Sequence, residues 1–259
     1  MKRLARINLP GLATLLAVLL LWEGFSRGSA SLQLYFPPVS RILVSLYELI
    51  FSRELFGHLL ATLGRFAAGY LLAAALAIFL GIILGYSRLA YSFAEPLIEF
   101  LRPMPSVAII PVAILFLGIA DAMMVAVTVY ACAWPVLINT IDGVRNIDRT
   151  LLYTGRTFGL GRWQALRKIV LPGASPYIVT GLRVSLAIAL ILVTTSEMVV
   201  GGSGLGYFIL DEERSLRTGN MYAGIFVVAL LGYGANRLFL LLEGRVIAWH
   251  RRMTAGETV

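Results

Sequence analysis

Cysteine is almost absent from this chain: Cys132 is the only one, so no intrachain disulfide framework exists. It sits in an apolar stretch and reads as a small core residue. Charge is scarce as well, at 14% of residues against about 25% in a soluble globular domain. No Gly-x-x-x-x-Gly-Lys-Ser/Thr phosphate loop occurs, so the chain does not bind ATP in the usual way. There is no internal repeat and no low-complexity tract. Together these absences exclude a disordered chain, a collagen, a coiled coil and a disulfide scaffold. They also fit an ordinary cytosolic enzyme poorly. What is abundant is apolar: 59% of the 259 residues, with a mean hydropathy of +0.83. The class this implies is an all-α, polytopic integral membrane protein.

A helix needs about 20 mostly apolar residues to cross the hydrocarbon core. Six stretches are predicted to do so: Leu9–Phe25, Leu59–Tyr86, Pro103–Ala120, Ala122–Ile141, Gly173–Glu197 and Asn220–Leu242. The first has a second reading as a cleaved signal peptide, with Lys2, Arg3 and Arg6 ahead of Leu12–Trp22 and Arg27-Gly28-Ser29-Ala30 behind it. The net charge of +8 is read as topology rather than as a nucleic-acid footprint, because cytoplasmic loops collect Lys and Arg. With the N-terminus inside, the inner segments hold Lys2, Arg3, Arg6, Arg88, Arg145, Arg149, Arg156, Arg162, Arg167, Lys168, Arg245, Arg251 and Arg252. The outer segments hold only Arg27, Arg41, Arg53, Arg214 and Arg217. Both termini are therefore expected in the cytoplasm, in a multi-pass protein of the plasma (cell inner) membrane.

The expected organisation has three parts. Residues 1–58 form the N-terminal membrane helix plus an outer amphipathic helix over Arg41–Phe56, with Ser40 as its N-cap. Residues 59–243 form the core, including a basic inner loop at 142–172. Residues 244–259 form a basic cytoplasmic tail. On the outer side, Gly201-Gly202-Ser203-Gly204-Leu205-Gly206 reads as a turn into a short polar helix. In the second span, Gly64, Ala68, Ala75, Gly81 and Gly85 read as a close-packing surface.

The inner loop is the most informative segment. From Ile147 to Pro172 it is helix-compatible up to Phe158, broken by Gly159-Leu160-Gly161, and helical again over Arg162–Val170. Pro172 suits the first turn of the next membrane helix. Leu151, Leu152, Phe158, Leu160, Trp163, Leu166 and Ile169 make an apolar ridge among arginines. Such a ridge packs either on the protein's own membrane helices or in a groove of a cytoplasmic partner, and the residues alone leave both open.

This loop resembles the signature loop of ABC-importer membrane subunits, whose pattern is Glu-Ala-Ala, three residues, Gly, nine residues, Ile, any residue, Leu-Pro. Gly159, Ile169, Leu171 and Pro172 match at that spacing, while Tyr153, Thr154 and Gly155 stand where Glu-Ala-Ala would be. The stretch Glu95–Pro105, Ser196-Glu197-Met198 with the glycine run to Gly206, and the tail Trp249-His250-Arg251-Arg252 are similar to the nitrate/sulfonate/taurine branch. The resemblance implies a type I importer permease with six transmembrane helices, working as a homodimer. Its implied partners are two copies of an ABC ATPase and an extracytoplasmic solute-binding protein. The implied cargo is a small, anionic solute such as sulfonate, taurine or nitrate, with bicarbonate or a vitamin precursor also fitting. No cofactor, no metal and no nucleic acid are implied, and the chain is not itself an enzyme. The coupling loop would act through Tyr153, Arg156, Phe158, Gly159, Leu160, Gly161, Trp163, Ile169, Leu171 and Pro172.

Charged side chains at membrane depth, here Arg65, Glu95, Glu99, Arg102, Arg183, Glu197 and Arg237, face a bundle interior or a wet path, or snorkel to the interface where they lie near span ends. The resemblance puts the path along the fifth span, with Arg183, Thr194, Thr195 and Glu197, and the broken third span adds Arg102, Pro103 and Pro105. Arg183 would pair with a carboxylate or face an anion. Glu197 would repel an anion if unpaired, so a gating or helix-pinning role suits it better. Two rival functions remain. A rhomboid-type protease is suggested by Gly201-Gly202-Ser203-Gly204, but the only later histidine, His250, lies in the tail on the wrong side. His58 reads as an interfacial residue. A secondary transporter or channel would show paired mid-membrane carboxylates or an internal repeat, and neither is seen.

Overall fold

The computed structural model describes residues 9–51 and 53–246, and among these every regular element is helical. In chain order they are α1 (Leu9–Ser26), α2 (Ala30–Tyr35), α3 (Val39–Ile50), α4 (Arg53–Tyr86), α5 (Arg88–Leu101), a 3₁₀ turn (Ser106–Ile109), α6 (Ile110–Leu117) and α7 (Asp121–Arg145). There follow α8 (Arg149–Thr157), α9 (Arg162–Ala165), a π turn (Leu166–Val170), α10 (Leu171–Val200), α11 (Leu205–Arg214) and α12 (Thr218–Val246). The basic residues at 2, 3, 6, 251 and 252, and the Trp249-His250 pair, lie outside the described residues.

Helices dominate because a backbone in lipid must satisfy its own N–H and C=O groups. Four helices among the described residues are long and apolar enough to cross a membrane: Leu55–Tyr86, Asp121–Arg145, Arg162–Val200 and Thr218–Arg245. They contain the second, fourth, fifth and sixth predicted spans. The third is different. Arg88–Leu101 and Ser106–Leu117 are bent by 91° at a short break, where Pro103 and Pro105 remove backbone donors. Tyr130 Oη on α7 donates to the Leu101 carbonyl at 2.7 Å and fixes the break against the bundle. The first predicted span is α1, a shorter apolar helix.

The amphipathic helix expected over Arg41–Phe56 is α3, and it ends at Ile50 rather than continuing to Phe56. Ser40 is not its N-cap, since Pro38 occupies that position. Instead Ser40 donates its N–H and hydroxyl to the Glu23 carboxylate of α1, at 3.0 and 2.8 Å. A side chain from another helix thus caps α3, and no local sequence pattern announces that.

The core is the packing of α4, α7 and α10. Lipid tails are as apolar as leucine, so membrane helices gain little from burying apolar surface and associate by close packing. The approach surface on α4 is a row of small residues at every fourth position: Gly69, Ala73, Ala77, Gly81 and Gly85. A Cβ added at Gly69, Gly81 or Gly85 would lie 2.6–2.7 Å from Thr128, Thr140 or Val144 of α7. This corrects the sequence expectation for Gly64, Ala68 and Ala75. Gly64 meets nothing within 4 Å, and Ala68 and Ala75 are exposed, because they fall on the wrong face of the 3.6-residue period. Cys132 is buried beside Phe66, Ala73 and Val193, as a small core residue should be.

The two kinds of glycine respond oppositely to substitution. Gly81→Leu is expected to destabilise the detergent-solubilised protein by about 3 kcal/mol or more, since the overlapping atoms are Cβ and backbone. Gly64→Ala is expected to be neutral or to stabilise it by about 0.5–1 kcal/mol through helix propensity. Thermal melting of the two variants side by side checks both.

Candidate functional site

Two constellations stand out, one at each end of the α4–α7–α10 core. The first is the loop between α7 and α10. Asp148 caps α8 by accepting the Thr150 N–H at 2.8 Å. Hydrogen bonds from Thr150 hold the Asp148 carboxyl below its ordinary value of 3.8. At the other end, Gly159 lies at φ +74, the left-handed conformation glycine tolerates. There the Leu160 N–H reaches the Gly155 carbonyl at 3.0 Å and the Gly159 N–H reaches the Arg156 carbonyl at 2.9 Å. This is the Schellman arrangement of a helix C-terminus. Gly161 then caps α9. The following π turn precedes Pro172, which cannot donate back to the Lys168 carbonyl and so leaves the last turn of the loop widened.

The turn folds the two halves of the loop onto each other. Gly155 is buried, and a Cβ there would meet Ile169 Cδ1 at 2.6 Å and Leu160 Cδ1 at 3.3 Å. Leu152, Leu166 and Ile169 pack on Val144, Ile147, Val170, Ala174 and Ile178 of the core. Leu151, Tyr153, Phe158 and Trp163 do not, and Phe158 and Trp163 are 81% and 71% exposed. The apolar ridge therefore divides. One side seats the loop on its own membrane helices, and the other stands uncovered in water. Leu171 and Pro172 form the first turn of α10, so a displacement of the loop bears directly on a membrane helix.

Asp148 makes this seating sensitive to pH. A carboxyl whose folded value is lowered contributes stability above its unfolded value and loses it as pH falls through the folded one. Opening of α8 is thus expected below pH 3.8, and Asp148→Ala should open it at every pH. Amide hydrogen exchange over residues 149–157 measures this.

The second constellation is a buried ionic cluster at the glycine-rich end. Glu197 of α10 has no exposed surface. It receives Arg65 Nη1 of α4 at 2.8 Å, the Thr62 hydroxyl at about 2.9–3.0 Å and the Gly206 N–H at 3.0 Å. Arg65 also donates to the Ser203 carbonyl and hydroxyl at 2.7 and 2.8 Å, and to Asp121 at the start of α7 at 2.7–2.9 Å. His58 Nδ1 accepts the Gly204 N–H at 3.0 Å, and Leu205 N–H reaches Thr62 at 2.8 Å. The glycines are required by closeness: a Cβ at Gly204, which has φ +108, would lie 2.2–2.5 Å from the Glu197 carboxyl. Three helices and a loop are tied through one guanidinium and one carboxylate. Ser203 is committed to Arg65 and His58 to the backbone, so the two form no nucleophile–base pair.

The remaining expected path residues are not gathered with these. Arg183 pairs with Glu243 of α12 and borders a cavity of about 280 Å³ between α4, α10 and α12. Thr194 and Thr195 are half-buried about three turns further along α10, and the Thr194 hydroxyl bonds back to the Leu190 carbonyl at 2.8 Å. Arg102, Pro103 and Pro105 stand exposed at the bend between α5 and α6. Thr62 and Asp121 are not singled out by sequence, and Ser203 is noted there only in a protease-like motif, not as a partner of Arg65. Thr62 and Asp121 are single polar residues in apolar surroundings, and their only signal is a partner far away in the chain.

Residues 77–248 match the family described as binding-protein-dependent transport system inner membrane component. The chain is 31% identical to a putative aliphatic sulfonates transport permease protein, SsuC, of Bacillus subtilis, over 93% of this chain and 87% of that one. It is 33% identical to the nitrate import permease protein NrtB of Leptolyngbya laminosa, over 76% and 70%. It is 32% identical to the bicarbonate transport system permease protein CmpB of Synechococcus elongatus, over 97% and 90%. Among solved structures, an inward-facing conformation of the MetNI methionine ABC transporter superposes with a TM-score of 0.61 at 19% identity, over 72% of this chain and 93% of that one. That likeness concerns the fold.

Proposed function

The chain belongs to the binding-protein-dependent transport system inner membrane components, and from that premise we propose how it works as the permease subunit of an ABC importer. Its cargo is a small oxyanion. The three similar permeases just described carry names for sulfonate, nitrate and bicarbonate, which share one negative charge spread over planar or tetrahedral oxygens. Import by this family engages an ATPase and a solute-binding protein. We place the ATPase on the 142–172 loop, which puts that loop and both termini in the cytoplasm, as the distribution of Lys and Arg suggests.

The observation that carries this reading is the divided ridge of that loop. An internally braced helix–turn–helix exposes Leu151, Tyr153, Phe158 and Trp163 while its other face joins the first turn of α10. It suits a lever seated in a groove of the motor, with Tyr153, Arg156, Phe158, Leu160 and Trp163 at the contact and Gly159, Gly161, Ile169, Leu171 and Pro172 keeping the lever stiff. Two copies of the chain, each on its own ATPase, would enclose the path between them. Exposed apolar residues on α5 and α6, such as Phe93, Leu115 and Phe116, meet lipid or that second copy. Along the path, Arg183, Thr194 and Thr195 face the passing anion, with Arg102, Pro103 and Pro105 at the bend. Glu197 serves as the pin that holds α10 to α4, not as a ligand.

Reconstitution tests the whole. The permease, its ATPase and its binding protein in liposomes should take up labelled nitrate or an alkanesulfonate only with ATP inside the compartment that holds the ATPase. Uptake driven by an ion gradient with the ATPase omitted would instead establish a secondary carrier.

A further inference from the structure

The loop also helps to form a much larger cavity, of about 1030 Å³, with the end of α4, the start of α5 and the end of α7, and Arg156 and Leu160 of the proposed motor contact lie on its rim. Arg88, Arg145, Arg149, Arg156 and Arg162 all line it, and no Asp or Glu does. Among the described residues none of these five guanidiniums has a carboxylate within ion-pair distance. The ion pairs of the described residues are Arg27–Glu23, Arg65–Asp121, Arg65–Glu197, Arg183–Glu243 and Arg217–Glu212. Asp148, beside Arg149 in the chain, is turned to Thr150. Arg145 is held over the Tyr91 ring at 3.6 Å, so at least one cation is positioned rather than free to swing away.

Like charges converging on one concavity repel each other, and a fold keeps them together most readily where an anion bridges them. Arginine forks match phosphate and sulfonate oxygens in geometry as well as charge. We propose that this cavity is an anion-binding site, distinct from the transport path, that takes a phosphate-class oxyanion. Two sources present that chemistry. One is the headgroup of an anionic phospholipid, which basic pockets between membrane helices hold. The volume exceeds what an inorganic ion needs, and Tyr86 and Tyr91 line the cavity with the amphipathic rings that favour a membrane–water interface. The other source is a free phosphate or sulfate.

The test uses the full-length chain in nanodiscs of phosphatidylcholine, read by thermal melting and by a titration midpoint. In one arm inorganic phosphate or sulfate is titrated; in the other, phosphatidylglycerol replaces part of the lipid. A rise in melting temperature in either arm is expected, and the arm that moves names the source. Arg88→Gln with Arg145→Gln should weaken the response about tenfold or more, as loss of charge-assisted hydrogen bonds does. Arg149→Gln with Arg162→Gln should do the same without touching the Tyr91 stack. Arg245→Gln, whose residue does not line the cavity, should leave it intact. No response in the wild type, or equal responses in wild type and both double variants, overturns the proposal. Both faces of a nanodisc carry the same lipid, so the result does not depend on which side of the membrane the loop occupies or on whether uptake is reconstituted.

Discussion

Arg65→Ala is expected to destabilise the protein by about 3–5 kcal/mol, because it strands the fully buried Glu197 without its cation. The loss should appear as a large drop in melting temperature and as exposure of the 201–206 run to proteolysis. Ser203 would lose its contacts to the guanidinium in the same step. A second change separates charge from shape. Adding Glu197→Gln to Arg65→Ala should recover part of the loss, since a neutral amide still accepts the Gly206 N–H and no longer needs a counter-charge. Asp121→Asn should cost at most about 1 kcal/mol, because Asp121 is 73% exposed and water already solvates it. If Asp121→Asn were as damaging as Arg65→Ala, the cluster would be held by its rim and not by the buried pair.

The same cluster shows where sequence reading stops. The spans on α4, α7, α10 and α12 were legible because hydropathy over about 20 residues reports an averaged property, and a shift of two residues at an end does not alter it. The loop is legible because its grammar is local: a glycine break and a proline at the next helix start. The Arg65–Glu197 pair is 132 residues apart in the chain, and nothing near either residue names the other. Sequence reading offers Glu197 both to the path and to a pinning role, and the three donors that surround it, Thr62, Arg65 and the Gly206 N–H, are none of them near it in sequence except Gly206. The small-residue row on α4 was half legible. Gly81 and Gly85 were found, but Gly64 was included because composition shows how many small residues exist, and only the facing helix shows which side they are on.

Gly159→Pro is expected to reduce ATP-driven uptake by more than tenfold while the protein still inserts in the membrane. Proline fixes φ near −65°, whereas Gly159 stands at +74°, and proline also removes the N–H that reaches Arg156. The turn then cannot close, Gly155 and Ile169 separate, and α8 is no longer braced against the start of α10. The membrane core should be spared, because its own contacts run through α4, α7 and α10. ATP hydrolysis measured beside uptake distinguishes a broken lever from a lost motor. Hydrolysis that persists without uptake marks failed transmission; loss of both marks failed docking. Trp163→Ala should resemble the docking failure, since Trp163 is exposed and braces nothing in the isolated chain. Gly159→Ala should fall between, because alanine reaches the left-handed region at about 1–2 kcal/mol and keeps the N–H. Uptake undiminished in Gly159→Pro would mean that force reaches α10 by another route than this turn.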